Sequence, residues 1–187
     1  MIEPYFRVEN EFVADILCFS SNSIFAFDFK EEMYWIGNTI GSESKKVPLS
    51  LPKSDFKHNK ISLCSNLPLF AFVERDESSV QIYDAQADKS IRAIRLIDES
   101  RIECVSISDD GRSVLVGGKN GSLSNYNIAN GKLLNIIARH RDFVLMARQS
   151  PNKRFIISIG YDRSVIFYDK NKDKTGRHLL TATSAIK

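Results

Sequence analysis

The sequence predicts an all-β fold made of about four successive four-stranded antiparallel units, and three observations carry that prediction. First, Ser108–Asn127 lies without gaps on Ser150–Asp169, an offset of 42 positions. Second, each unit is divided by short clusters of Asp, Asn and Gly. Third, the stretches between those clusters alternate apolar and polar residues, the period of a strand and not of a helix.

The repeat constrains the rest of the fold. Leu123 matches Val165, Tyr126 matches Tyr168, Gly118 matches Gly160, Ser122 matches Ser164 and Asn120 matches Asp162. Pro68–Asp84 carries the same pattern, with Val80, Tyr83 and Asp84 in register and one extra turn residue. Ser23–Gly37 repeats it again with a shorter turn. Within a unit, Ile102–Ile107, Val114–Val116 and Leu123–Ile128 read as strands. Asp109-Asp110-Gly111, Lys119-Asn120-Gly121 and Asn130-Gly131 supply the turns between them.

A four-stranded meander cannot bury both faces alone, so successive units must pack face to face around an axis, as the blades of a β-propeller. The chain, 1–187, reads as a single propeller with units of about 10–52, 58–97, 101–138 and 142–185. Residues 3–9 form a further strand, and 177–185 another. Both suit one closing place, so the expectation is an incomplete propeller, the N-terminal part of a larger one. Its uncovered faces would then favour self-association.

Composition narrows the function. Hydrophobic residues make up 43% of the chain and 26 basic residues face 23 acidic ones, which is a globular composition with too little net charge to argue for nucleic acid. No apolar run reaches the length of a membrane span, and the N-terminus mixes Glu3, Arg7 and Glu9 with aromatics, so the expected location is cytoplasmic. Cys18, Cys64 and Cys104 are far apart and lack Cys or His partners at ligand spacing. They read as buried free thiols, and no metal or other cofactor is expected.

At Arg139–Asp169 the residues resemble the WD-repeat propeller family, and the resemblance extends over nearly the whole chain. Arg139-His140 stands where that family has Gly-His, Ser150-Pro151-Asn152 resembles its Ser-Pro-Asp turn, and Tyr168-Asp169 stands for Trp-Asp. The resemblance implies a structural hydrogen-bonded network of His140, Ser158, Asp162 and Tyr168 inside the last blade. The chain departs from the family in Tyr168 for Trp, in Asn120 at the turn Asp of the preceding unit, and in lacking a His before Arg101.

Other candidates for chemistry have simpler explanations. A Ser-His-Asp triad is superficially available in His140 and Asp162, but the blade alignment already accounts for both. His58 and His178 have no second ligand at metal spacing, and Asp28, Glu74 and Glu103 share no repeat position. Gly117-Gly118-Lys119 lacks phosphate-loop spacing and does not lead into a helix, so it reads as a hairpin turn. Trp35 falls on the strand position of Ile82 and is expected to pack between blades.

Strand order assigns each turn to one end of the propeller. One end carries Arg75, Arg101, Lys119, Arg139, Arg141 and Arg163 beside seven acids, Glu74, Asp76, Glu77, Asp98, Glu99, Asp142 and Asp162. Such a mixed surface suits a protein partner. The opposite end has Lys89, Arg112, Lys132, Lys153, Arg154, Lys170, Lys172 and Lys174 against Asp88, Asp109, Asp110 and Asp173, a basic excess of four. The expected function is therefore a non-catalytic scaffold that binds another protein, with the six basic residues of the mixed end as candidate contacts. A nucleic-acid or anionic-surface binder using the basic end, or an accessory or maturation factor for another enzyme, are the alternatives.

Overall fold

The structure is a computed structural model that describes residues 60–74, 76–87 and 89–172 in full, and the backbone of five further strands. Those strands are β1 (Ile16–Phe19), β2 (Ser23–Asp28), β3 (Met33–Asn38), β4 (Ser44–Pro48) and, at the other end, β16 (His178–Thr181). Arg75, His58, residues 3–9 and the side chains of Cys18, Trp35 and His178 lie outside the described residues.

Four separate four-stranded antiparallel sheets form, each a meander in sequence order, and none closes on itself. β1 to β4 make the first sheet. The second is β5 (Ile61–Leu63), β6 (Leu69–Val73), β7 (Ser79–Asp84) and β8 (Lys89–Arg95). The third is β9 (Ile102–Ile107), β10 (Ser113–Gly118), β11 (Ser122–Asn127) and β12 (Leu133–Arg139). The fourth is β13 (Val144–Gln149), β14 (Phe155–Gly160), β15 (Ser164–Asp169) and β16, with a 3-10 turn at Lys170–Lys172 before its last strand. Among the described residues no helix is long and apolar enough to cross a membrane.

Local chemistry places each hairpin. Between β9 and β10 the Ser108 hydroxyl donates to Asp110 at 2.7 Å and accepts from the Ser113 amide at 3.0 Å, while Gly111 takes the left-handed conformation, φ 65°. The equivalent turn of the fourth sheet repeats this with Ser150, Asn152 and Phe155, but Lys153 occupies the left-handed place at φ 59°. The turn from β10 to β11 does the same one step on: Gly121 at φ 82° corresponds to Arg163 at φ 64°. Gly117 and Gly118 are the end of β10 and not the turn itself.

Alternation along the strands then sorts the side chains between neighbouring sheets. Val114, Val116 and Tyr126 of the third sheet meet Val80, Ile82 and Ile94 of the second in one buried cluster. Leu115 and Leu123, on the opposite face, join Cys104 and meet Val144, Ala147, Ile156 and Ile166 of the fourth. The third sheet is thus apolar on both faces, which explains its short continuous hydrophobic runs. Cys64 and Cys104 are buried free thiols in these interfaces, and burial pushes the Cys104 thiol up to about 12.

Candidate functional site

His140 follows the last residue of β12 and enters the fourth sheet beneath the turn joining β14 to β15. Its side chain is fully buried, Nε2 lies 2.8 Å from Ser158 Oγ, and Nδ1 lies 2.8 Å from Ser164 Oγ and 3.3 Å from Asp162 Oδ1. The Ser164 hydroxyl itself donates to Asp162 at 2.6 Å. It must therefore accept from His140, which places the proton on Nδ1 and leaves Nε2 to accept from Ser158.

Asp162 is the hub of this network. Its carboxylate accepts from the Arg141 amide at 2.8 Å and the Ser164 amide at 3.0 Å besides the two side chains. Partial burial opposes ionisation, but these bonds outweigh it and hold the carboxyl well down, at about 2. Gly160 makes the close approach possible, since a Cβ there would overlap the His140 ring and the Asp162 carboxylate. Tyr168 stands apart from the network. It packs against the apolar cluster between the third and fourth sheets, and no described residue hydrogen-bonds to its hydroxyl.

By the residue pattern alone Ser164 is a turn position matching Ser122; in the structure it joins the network. Its role depends on the β14–β15 turn folding back over His140, which a repeat alignment does not convey. The arrangement clamps one strand end to one turn. A nucleophile needs a reachable face, and Ser158 is 1% exposed.

The third sheet holds a counterpart with other residues. Asp98 occupies the repeat position of His140, and Asn120 that of Asp162. The Asn120 amide donates to the Asp98 carboxylate, the Ser122 hydroxyl donates to Asn120 at 2.7 Å, and the Asn120 backbone amide donates to Ser100 Oγ at 3.1 Å. A histidine is thus dispensable where an acid–amide pair spans the same gap.

An ionic link ties the second sheet to the third. The buried Lys60 ammonium pairs with Glu77, whose other oxygen lies 2.5 Å from Arg101. Partial burial works against the charged form of Glu77, yet the bonds and charges of Lys60 and Arg101 hold its carboxyl below the usual range.

Of the expected contact residues at this end, Arg101 is therefore engaged. Lys119, Arg139, Arg141 and Arg163 are exposed, and their side chains pair with no described carboxylate. Beside them, Phe143 and Tyr161 stack with ring centroids 4.4 Å apart and an interplanar angle of 17°.

The opposite end is more self-contained than its composition implies. Lys153 reaches across from the fourth sheet to Asp110 of the third at 2.7 Å, and Arg154 forks onto Asp169 at 3.1 and 2.9 Å. Asp110 is held at about 2: burial resists the charge, while Lys153, the Ser108 hydroxyl and the Arg112 amide favour it. Local acids thus engage three of the bases behind the basic excess, since Arg112 also lies 3.9 Å from Asp110. Among the described residues no three His, Cys, Asp or Glu side chains are grouped to hold a metal ion.

No family model matches the chain. WD repeat-containing protein 3 of Mus musculus is 31% identical over 80 residues, which are 43% of this chain and 8% of that protein. WD repeat-containing protein 3 of Homo sapiens is 30% identical over 94 residues, 48% of this chain and 10% of that protein. The matched stretch is thus a small part of either relative's length. Taken with the meandering four-stranded sheets and their repeated turn chemistry, this similarity fits a divergent WD-repeat β-propeller.

Proposed function

We propose that the chain is a non-catalytic scaffold that binds another protein through the turns at one end of its sheets. The observation that carries this reading is the direction in which the polar groups point. His140, Ser158 and Ser164, the groups suited to acid–base or nucleophilic work, are buried and bonded to one another, whereas Lys119, Arg139, Arg141 and Arg163 face solvent. Similarity to WD repeat-containing proteins supports a protein partner in general terms. Exposed arginines beside aspartates favour a specific partner over a uniform polyanion.

Cross-linking and mass spectrometry of the protein recovered from its native cell tests the reading. The expected cross-links map to the turns carrying Arg139, Arg141 and Arg163. Replacing Arg139 and Arg141 by Ala should weaken the recovered complex at least tenfold more than replacing Lys172, because arginine forks carry interface energy more often than lysines. Equal losses from both would overturn it.

A further inference from the structure

We infer that the stacked rings of Phe143 and Tyr161 form the anchor of a docking site for an acidic peptide segment carrying apolar side chains. This rests on the scaffold reading and gives the partner a chemistry. Tyr161 is 60% exposed in a turn, yet it is not loose: its backbone amide donates to the Phe143 carbonyl at 2.9 Å, and its ring lies flat on Phe143. An exposed aromatic held in place before a partner arrives loses little freedom on binding, which is what makes such residues interface hot spots.

The pair is particular to the fourth sheet. At the same two repeat positions the third sheet carries Arg101 and Lys119, 42 residues earlier, and there Arg101 is engaged by Glu77. Burial and turn geometry therefore do not demand aromatics at these positions.

Charge selects the partner. Arg139 and Arg141 precede Phe143 by four and two positions, and Arg163 follows Tyr161 by two; all three are exposed and pair with no described acid. Of the two acids beside them, Asp162 is turned inward to His140 and Ser164, and Asp142 accepts from the Phe143 amide at 2.8 Å. Asp142 is exposed and keeps its charge, so the three guanidinium groups give the surroundings of the stacked rings a modest basic excess. Carboxylates of an extended segment would meet these forks while a leucine-like side chain covers the Tyr161 face.

Fluorescence anisotropy of a short labelled peptide with glutamates flanking two leucines, titrated with the purified chain at low salt, tests the site. Saturable binding is expected. It should weaken at least tenfold with Tyr161→Ala and with Arg141→Ala plus Arg163→Ala together, survive Tyr161→Phe, and be unaffected by Lys172→Ala. Peptides with lysine for glutamate, or glycine for leucine, should not bind. Circular dichroism of each variant excludes unfolding as the cause. Failure of the glutamate–leucine peptide to bind, or undiminished binding by Tyr161→Ala, overturns the inference. A native partner cross-linked only to turns away from Phe143 and Tyr161 overturns it while the scaffold reading stands, and absence of any cross-linked protein removes both.

Discussion

Asn120 donates its side-chain amide to the carboxylate of Asp98, and the two residues are separated by 22 positions, the same separation as Asp162 and His140. Two adjacent sheets thus fasten the same strand end to the same turn with different chemistry. In one the acid lies on the turn and the donor before the sheet; in the other the roles are exchanged. What the fold requires there is one donor and one acceptor across a fixed gap.

Removing the hub of the histidine network should destabilise the protein without altering any binding that depends on the exposed arginines. Asp162→Ala leaves the Arg141 and Ser164 amides and the Ser164 hydroxyl without their acceptor. A loss of about 1 to 3 kcal/mol is expected in urea denaturation, the usual cost of unsatisfied buried partners. An unchanged midpoint would contradict the assigned role.

Stability should fall in acid through a defined window. Asp162 and Asp110 are both held at about 2, below the ordinary value of 3.8, so each is more readily ionised in the folded state than in the unfolded one. Their contribution is complete above about pH 4 and is lost as pH falls through about 2. Asp162→Asn and Asp110→Asn should each lower stability at neutral pH and flatten the decline between those limits, as measured by thermal melts across the range.

Equivalent turn positions should respond with opposite sign to opposite substitutions. Gly121 has φ 82°, and a Cβ there would run into the backbone carbonyl of His140. Gly121→Ala should cost at least about 2 kcal/mol, since left-handed strain alone accounts for roughly 1 to 2. Arg163 sits at φ 64° with an exposed side chain, so Arg163→Gly should be neutral or stabilise by up to about 1 kcal/mol. Chemical denaturation of both variants makes the comparison.

Breaking the ionic link between the second and third sheets from one side should be worse than removing its buried cation. Glu77→Ala leaves Lys60, whose side chain is 5% exposed, with only the more distant Glu103 carboxylate at 3.9 Å, at a cost of up to about 3 kcal/mol. Lys60→Met exchanges the charge for an apolar chain of similar length and leaves Glu77 with Arg101. It should therefore be the milder change in the same denaturation assay, and the reverse order would show that the pair does not carry the link.

Sequence by itself determined the repeat, the strand order within each unit and the turn chemistry, because these are written in residues close to one another. Ser108, Asp110 and Gly111 specify their hairpin within six positions of chain, and the period of 42 carries it into the next unit at Ser150, Asn152 and Lys153. His140, Ser158 and Asp162 were legible through the family resemblance for the same reason: each sits at a fixed offset from a turn. Only the tertiary structure decided the rest. Ser164 reaches His140, Lys60 meets Glu77, and Phe143 stacks on Tyr161 across 24, 17 and 18 positions, through turns and sheet packing that bring distant segments together. Tyr168 turns to the apolar cluster because its strand face, set by pairing with Ile156, points between the sheets. Spacing fixes which residues lie in one turn, whereas the choice among neighbours across a gap is made by packing, which a linear pattern does not contain.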